Sequence, residues 1–280
     1  MIELPEAMTI AKQITQELKG KHIIYAVRNS SPHKFAFTGK YSHEEFAALV
    51  KNKKIGTARA DGSVILVHLE PKYVLSLGCG GERIVYHTHE KTLPKKHQIL
   101  FNFKDGTYFT VTVSGWGEVR LMEQSDILNH PHIKKDAVSP LDDAFTFSYF
   151  NSLFDTVPKK RVSAKYFIIS EPGIWGIGNG CLQDILYKAK IHPKRQILSL
   201  SKDERHTLYK AIKKTLTEMV TFGGRDSEYD LYNNPGQYQR MLHSKTAGTP
   251  CQKCGTPIKK AQYLGGSVYF CPECQQESPG

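Results

Sequence analysis

The chain has 280 residues, 40% of them hydrophobic and 23% charged, which is ordinary globular usage and excludes disordered, collagen-like and disulfide-scaffold classes. Its 38 Lys and Arg against 27 Asp and Glu give a formal charge of +11, a balance that points to a polyanionic partner, nucleic acid being the usual one. The longest apolar runs, such as Tyr73 to Leu77, have strand length, and Met1 to Glu6 carries no basic leader, so the expectation is a cytoplasmic protein with no membrane span.

Leu4-Pro5-Glu6 opens a helical pattern with Ile10, Ile14 and Leu18 on one face, and Gly20 stands where a helix C-cap is expected. From Ile23 to about Met122 the pattern turns to strands. His22–Val27, Val64–Leu69, Tyr73–Leu77, Arg83–His87, Gln98–Phe103 and Thr107–Val113 are short, β-branched or aromatic, and bounded by turns. Lys104-Asp105-Gly106 predicts a hairpin, and one helix interrupts near His43–Val50.

Residues 124–139 read as a polar linker containing Pro131. Beyond it the period becomes helical, over Leu141–Phe154, Ser163–Ser170 and Asn179–Ala189. Ser201-Lys202-Asp203-Glu204 is a capping box that opens a long helix with Leu208, Ile212, Leu216 and Met219 inward, stopped by Gly223-Gly224. Residues 225–247 read as a polar loop. The pattern predicts an α+β fold: a β-sandwich or barrel with a leading helix over 1–123, the linker over 124–139, a helical domain over 140–247 and a cysteine module over 248–280.

Four of the six cysteines lie in that module. Cys251-Gln252-Lys253-Cys254, sixteen residues, then Cys271-Pro272-Glu273-Cys274 is a spacing that closes a tetrahedral Zn2+ site from two tight turns. The alternative, a pair of redox or disulfide couples, does not suit a reduced compartment. Lys259, Lys260, Tyr263, Tyr269 and Phe270 mix basic and aromatic side chains on the intervening hairpin, which suits a phosphate contact or plain packing on the metal site. Cys79 and Cys181 stand alone and read as small buried apolar residues.

Gly176-Ile177-Gly178-Asn179-Gly180 opens the third helical segment. Gly178 permits close approach, and amides at a helix start, with the Asn179 side chain beside them, can hold a phosphate. Such turns are common, but this one sits in a helix-turn-helix element of a basic chain.

Three blocks together, Glu3-Leu4-Pro5-Glu6, Gly176-Ile177-Gly178-Asn179 through Ile191-His192-Pro193, and Phe270-Cys271-Pro272-Glu273-Cys274-Gln275, resemble the formamidopyrimidine-DNA glycosylase / endonuclease VIII family in order and spacing. The resemblance implies an N-terminal β-sandwich, a C-terminal helix-two-turn-helix (H2TH) domain and a β-hairpin zinc finger, with damaged or abasic double-stranded DNA in the cleft between the domains. It implies a monomer, associated with the nucleoid, that flips a damaged base, cuts its glycosidic bond and nicks the abasic strand through a Schiff base. An amine must attack C1′ as the base leaves, and a neighbouring carboxylate carries protons. Glu3 matches the family's carboxylate, Glu6 its second acid and Asn179 its phosphate-binding asparagine.

The chain departs from the family at the nucleophile. Relatives expose an N-terminal proline, and here the position is Ile2. With Met1 kept, the free amine moves outward by one residue, up to about 3.6 Å. The family's strand lysine aligns best with Ser63 and its finger arginine with Gly266, while Cys79 and the Ser114-Gly115-Trp116-Gly117 loop stand where relatives wedge the duplex. An exposed Trp116 would fill a vacated stack, and a core Trp would not. The leading reading is an active DNA glycosylase with lyase activity through Met1 or through a water activated by Glu3. The alternatives are an altered or inactive relative that binds damaged or structured DNA, and a general zinc-finger nucleic-acid-binding protein.

Overall fold

α1 spans Leu4–Leu18, and its start follows from the first six residues. Pro5 is tolerated because the N–H groups of a first turn have no helical partner. Glu6 turns back to accept the Glu3 N–H at 3.0 Å, half of a capping box written with two acids. Ile10, Ile14 and Leu18 are buried, and Gly20 follows the helix at φ +92.

The structure, a computed structural model, describes residues 1–28, 33, 36, 39–78, 80–158 and 161–277. Cys79, read above as a buried or duplex-wedging residue, lies outside them. The described chain forms two units, Met1–Asp136 with Val220–Tyr238, and Ala137–Met219 with Gln239–Gly280.

The first unit is a β-sandwich of two four-stranded antiparallel sheets. One sheet runs β1-β6-β7-β5, with β1 Ile23–Arg28, β5 Gly81–His87, β6 Ile99–Phe103 and β7 Tyr108–Ser114. The other runs β2-β3-β4-β8, with β2 Lys54–Asp61, β3 Val64–Glu70, β4 Tyr73–Gly78 and β8 Glu118–Glu123. Alternation does the sorting: Ile99, Phe101 and Phe103 are buried while Leu100 and Asn102 between them are less so. Phe101, Phe109 and Val111 from the first sheet share one core with Val67, Leu75 and Leu77 from the second and with Ile10 and Ile14 of α1. The short helix α2, His43–Val50, buries Phe46 and Val50 in the same core.

Strands β2 and β8 were not anticipated from the sequence. β2 reads Lys-Ile-Gly-Thr-Ala-Arg-Ala-Asp, poor in strand formers, and its pairing with β3 supplies what propensity does not.

The second unit contains α3 Phe147–Ser152, α4 Ala164–Ile169, α5 Asn179–Ala189, α6 Lys202–Thr221 as far as Met219, and the hairpin β9 Lys259–Tyr263 with β10 Gly266–Phe270. α5 has the predicted bounds. α3 starts later than expected from Leu141, because the Thr146 hydroxyl caps it by accepting the Tyr149 N–H at 3.1 Å. The α6 capping box forms as predicted, with Ser201 N–H to Glu204 at 2.8 Å and Glu204 N–H to Ser201 Oγ at 3.2 Å.

The boundaries drawn from sequence differ from these units in two places. Much of the 124–139 linker belongs to the first unit, where His130 is buried and bonds Ser76 Oγ at 3.1 Å. Val220–Tyr238, placed by sequence within the 140–247 domain, also groups with the first unit. Leu231 is fully buried in the sandwich core, its N–H bonded to Gln13 Oε1 at 2.9 Å and its carbonyl accepting the Tyr86 N–H at 2.8 Å. One buried leucine and these backbone bonds outweigh the polarity of the stretch.

Candidate active site and four-cysteine centre

The N-terminus of α1 brings Glu3 and Glu6 inward, each only 2% exposed. Two buried carboxylates need compensation, and Arg225 supplies it. Its Nη1 donates to Glu3 Oε1 at 2.9 Å; its Nε and Nη2 donate to Glu6 Oε1 and Oε2 at 2.9 and 2.7 Å. Nη2 also donates to the Met1 carbonyl at 2.7 Å. Arg225 follows the two glycines that stop α6, and Gly224 is needed there: at φ +104, a Cβ would sit 3.2 Å from Glu6 Cγ.

Met1 is held at both ends. Its ammonium donates to Glu228 Oε2 at 2.8 Å, and the residue itself is 56% exposed. Ile2 is 3% exposed, and its amide N–H is committed to the Gly80 carbonyl at 3.0 Å. The nitrogen that is a proline amine in relatives is therefore a buried, hydrogen-bonded amide here, and the amine lies one residue outward.

Gly80 is held in turn by Glu82. The Glu82 carboxylate accepts the Gly80 N–H at 3.2 Å and the Glu118 N–H at 2.9 Å. Burial pushes this carboxyl up to about 7, against the opposing pull of those amides and of the N-terminal charge. The two backbones it joins are so close that a Cβ on Gly80 would lie 2.2 Å from Gly117 N. Between Gly117 and Ser114, Trp116 stands at the loop tip, 72% exposed, which removes the core-Trp alternative.

In the second unit, Gly178 caps α5 in an extended conformation and Asn179 is its first residue. The Asn179 side chain does not simply face outward. Its Nδ2 donates to the Ser267 carbonyl of the finger at 3.0 Å, leaving one amide hydrogen for another acceptor, and its buried Oδ1 has no hydrogen-bond partner among the described residues. Gln183, one turn on, grips the same strand through Ser267 O at 3.2 Å and the Tyr269 N–H at 3.0 Å. Gly266, where relatives place an arginine, lies beside this pair, its missing Cβ 3.6 Å from both Asn179 Nδ2 and Lys165 Nζ. Lys165 Nζ is turned to the Tyr263 carbonyl at 2.6 Å. Lys259 and Lys260 are exposed on β9.

Cys251, Cys254, Cys271 and Cys274 converge, their sulfurs all within 4.8 Å of one another. The separations of 3.9 Å for Cys251–Cys274, 3.4 Å for Cys254–Cys271 and 3.5 Å for Cys254–Cys274 suit a small tetrahedral cation. Four sulfurs about 2.3 Å from one ion would stand about 3.8 Å apart. Backbone N–H groups of Lys253 and Cys274 point at Cys251 and Cys271 sulfurs, both at 3.4 Å, and the Tyr187 hydroxyl lies 3.1 Å from Cys251 Sγ. This group can hold a metal ion. Cys181 is fully buried and apart from it, as expected.

Arg225, Glu228 and Glu82 were not among the residues anticipated from sequence. The local cue for Arg225 was its place directly after Gly223-Gly224, a turn able to drive a side chain back toward the start of the chain; Glu228 and Glu82 carry none.

Residues 1–112 match the formamidopyrimidine-DNA glycosylase N-terminal domain, and residues 137–230 match the formamidopyrimidine-DNA glycosylase H2TH domain. A formamidopyrimidine-DNA glycosylase of Listeria innocua is 30% identical over 284 residues, covering 99% of this chain and all of that one. Another, of Cytobacillus firmus, is 30% identical over 98% of this chain and all of its own length. A Lactococcus lactis Fpg mutant in complex with Fapy-dG-containing DNA superposes with a TM-score of 0.85 at 22% identity, covering 98% of this chain and 99% of that one. The Lactococcus lactis Fpg complex with abasic-site DNA gives 0.84 at the same identity and coverage. At that identity the structures show the fold, and the curated relatives carry the relationship: the chain belongs to the formamidopyrimidine-DNA glycosylase family.

Proposed function

We propose that this chain is a DNA N-glycosylase with AP-lyase activity, acting as a monomer on damaged or abasic double-stranded DNA within the cell, with the Met1 amine as nucleophile. The observation that carries the reading is the grip on Met1: its carbonyl is bonded by the Arg225 guanidinium that also holds Glu3, and its ammonium by Glu228. Family membership supplies the reaction class, and the relatives' solved complexes contain damaged or abasic DNA.

In this reading the amine adds to C1′ as the damaged base leaves, and the resulting iminium acidifies the neighbouring C–H for elimination. Glu3 carries the proton between sugar and solvent. Glu6 fixes the helix start and, with Glu3, the position of Arg225. The first turn of α5, with Gly178 and the remaining amide hydrogen of Asn179, binds a backbone phosphate, and Lys259 and Lys260 add cationic contacts. Trp116 enters the space left by the flipped nucleotide. Zn2+ is assigned to the four cysteines, where it would close the finger structurally and take no part in the reaction.

The test is incubation of the purified full chain with duplex DNA holding an abasic site, followed by borohydride and peptide mass mapping. An adduct on Met1 is expected. Tight abasic-site binding with neither adduct nor scission would replace the enzyme with a damage-binding relative, and equal affinity for intact DNA would replace both with general DNA binding.

A further inference from the structure

Glu228 belongs to none of the motifs that mark the chemistry in the sequence, yet its carboxylate touches the reacting nitrogen, 2.8 Å away. It is not a loose surface acid. The side chain is 18% exposed, and its second oxygen accepts the Ser227 hydroxyl at 3.1 Å. The Glu228 N–H bonds the Arg225 carbonyl at 3.0 Å, and its own carbonyl accepts the Gly236 N–H at 2.9 Å. A single short stretch therefore holds Met1 twice, by the carbonyl through Arg225 and by the ammonium through Glu228. Glu3 and Glu6, in contrast, already share the Arg225 guanidinium.

We propose that Glu228 is a catalytic residue of the lyase reaction, the proton carrier of the Met1 amine and the counter-ion of the iminium it forms; this rests on Met1 being the nucleophile. The steps balance without a co-reactant. The ammonium gives a proton to the Glu228 carboxylate, and the freed lone pair forms the N–C1′ bond with the abasic aldehyde as the carbonyl electron pair moves to oxygen. The Glu228 carboxyl returns its proton to that oxygen. It then takes one proton from the now cationic nitrogen and gives it to the C1′ hydroxyl, which leaves as water while the nitrogen lone pair closes the C=N bond.

Glu228 begins and ends as a carboxylate beside a cationic nitrogen. The ion pair of the free protein is thus also the arrangement that stabilises the iminium, and a carboxylate within hydrogen-bond reach of the proton it moves meets the first requirement of general acid–base catalysis.

The experiment is the rate of borohydride trapping on an abasic duplex by the full chain, comparing wild type, Glu228→Gln and Glu228→Asp. Glutamine accepts a hydrogen bond from the ammonium but does not carry its proton. Trapping by E228Q at neutral pH is expected to fall about 10²-fold, the lower range for a general base, with E228D retaining most of the rate. Abasic-duplex affinity stays within about twofold, which separates chemistry from misfolding. The rate kept by E228D, which restores the carboxylate that E228Q lacks, is a rescue that a structural lesion would not show. E228Q trapping as fast as, or faster than, wild type overturns the role of Glu228 alone. Absence of any Met1 adduct from the wild-type protein overturns the lyase reading and this role with it.

Discussion

Arg225 holds Glu6 by three hydrogen bonds across 219 residues of sequence: its backbone N–H and Nε both reach Glu6 Oε1, at 3.0 and 2.9 Å, and its Nη2 reaches Oε2 at 2.7 Å. The guanidinium fork matches the carboxylate, and its remaining donors serve Glu3 and Met1. One cation thus organises the whole start of the chain.

Arg225→Ala leaves two buried carboxylates without their cation, although Glu6 keeps its bonds from the Glu3 and residue-225 backbone N–H groups. Loss of one member of a buried pair costs about 3–5 kcal/mol, and equilibrium denaturant unfolding should read a value in that range. Arg225→Lys keeps the charge and loses the fork, so it should be less destabilised and yet still slow borohydride trapping. Equal stability of R225A and wild type would mean that the pair contributes nothing net.

The raised carboxyl of Glu82 predicts how stability varies with pH. Its acid form is favoured by folding, from an ordinary 4.5 to about 7. Below pH 4.5 both states hold the proton and this stabilisation is complete; as pH rises toward 7 the unfolded chain releases the proton first, and the stabilisation is lost. Over that window the loss is about 3 kcal/mol. In Glu82→Gln the slope between pH 4.5 and 7 should flatten. Its amide NH2 would oppose one of the two N–H groups now bonded, so E82Q should be less stable than wild type at low pH and approach it by pH 8. Urea midpoints across that range are the measurement, and parallel curves for the two proteins would contradict the assignment.

Trp116 separates binding from folding. At 72% exposure, its replacement by Ala should change stability by less than about 0.5 kcal/mol. If the ring stacks in the duplex, abasic-DNA binding should weaken by about 1–3 kcal/mol in a titration at fixed salt. Unchanged affinity would remove Trp116 from the interface.

The four-cysteine group predicts a metal requirement. Stoichiometric Zn2+, released when the finger is unfolded or its thiols are modified, should be measurable in the purified protein. Chelation, or Cys271→Ser, should unfold the finger, leave the sandwich unfolding transition in place and reduce DNA affinity. Lys259 and Lys260 are carried on the finger's strand β9, so loss of the finger should also lower the salt dependence of binding.

Much of the secondary structure was legible because its causes are local. α5 follows from Gly178, Asn179 and the period after them, and α6 from a capping box that forms as written. β2 was not legible because it is poor in strand formers and its pairing with β3 supplies what propensity does not, and β8 because its Val119–Leu121 alternation is too short to mark a strand without its pairing with β4. At the candidate site, Glu3, Glu6 and Asn179 were named from motifs. What Asn179 does, donating to Ser267 of the finger, depends on a residue 88 positions away.

The sequence by itself determined the elements with strong periods and caps, the spacing of a four-cysteine group and the presence of Ile2 before the Glu3-Leu4-Pro5-Glu6 block, since each is encoded within a few neighbouring residues. The tertiary structure decided that Trp116 is exposed, that residues 220–238 return to the sandwich, and that Arg225, Glu228 and Glu82 surround the first residues. The Met1 ammonium and Glu228 are 227 residues apart, and no local pattern encodes such a pair. It exists because Leu231 is buried in the sandwich core and carries its neighbours with it.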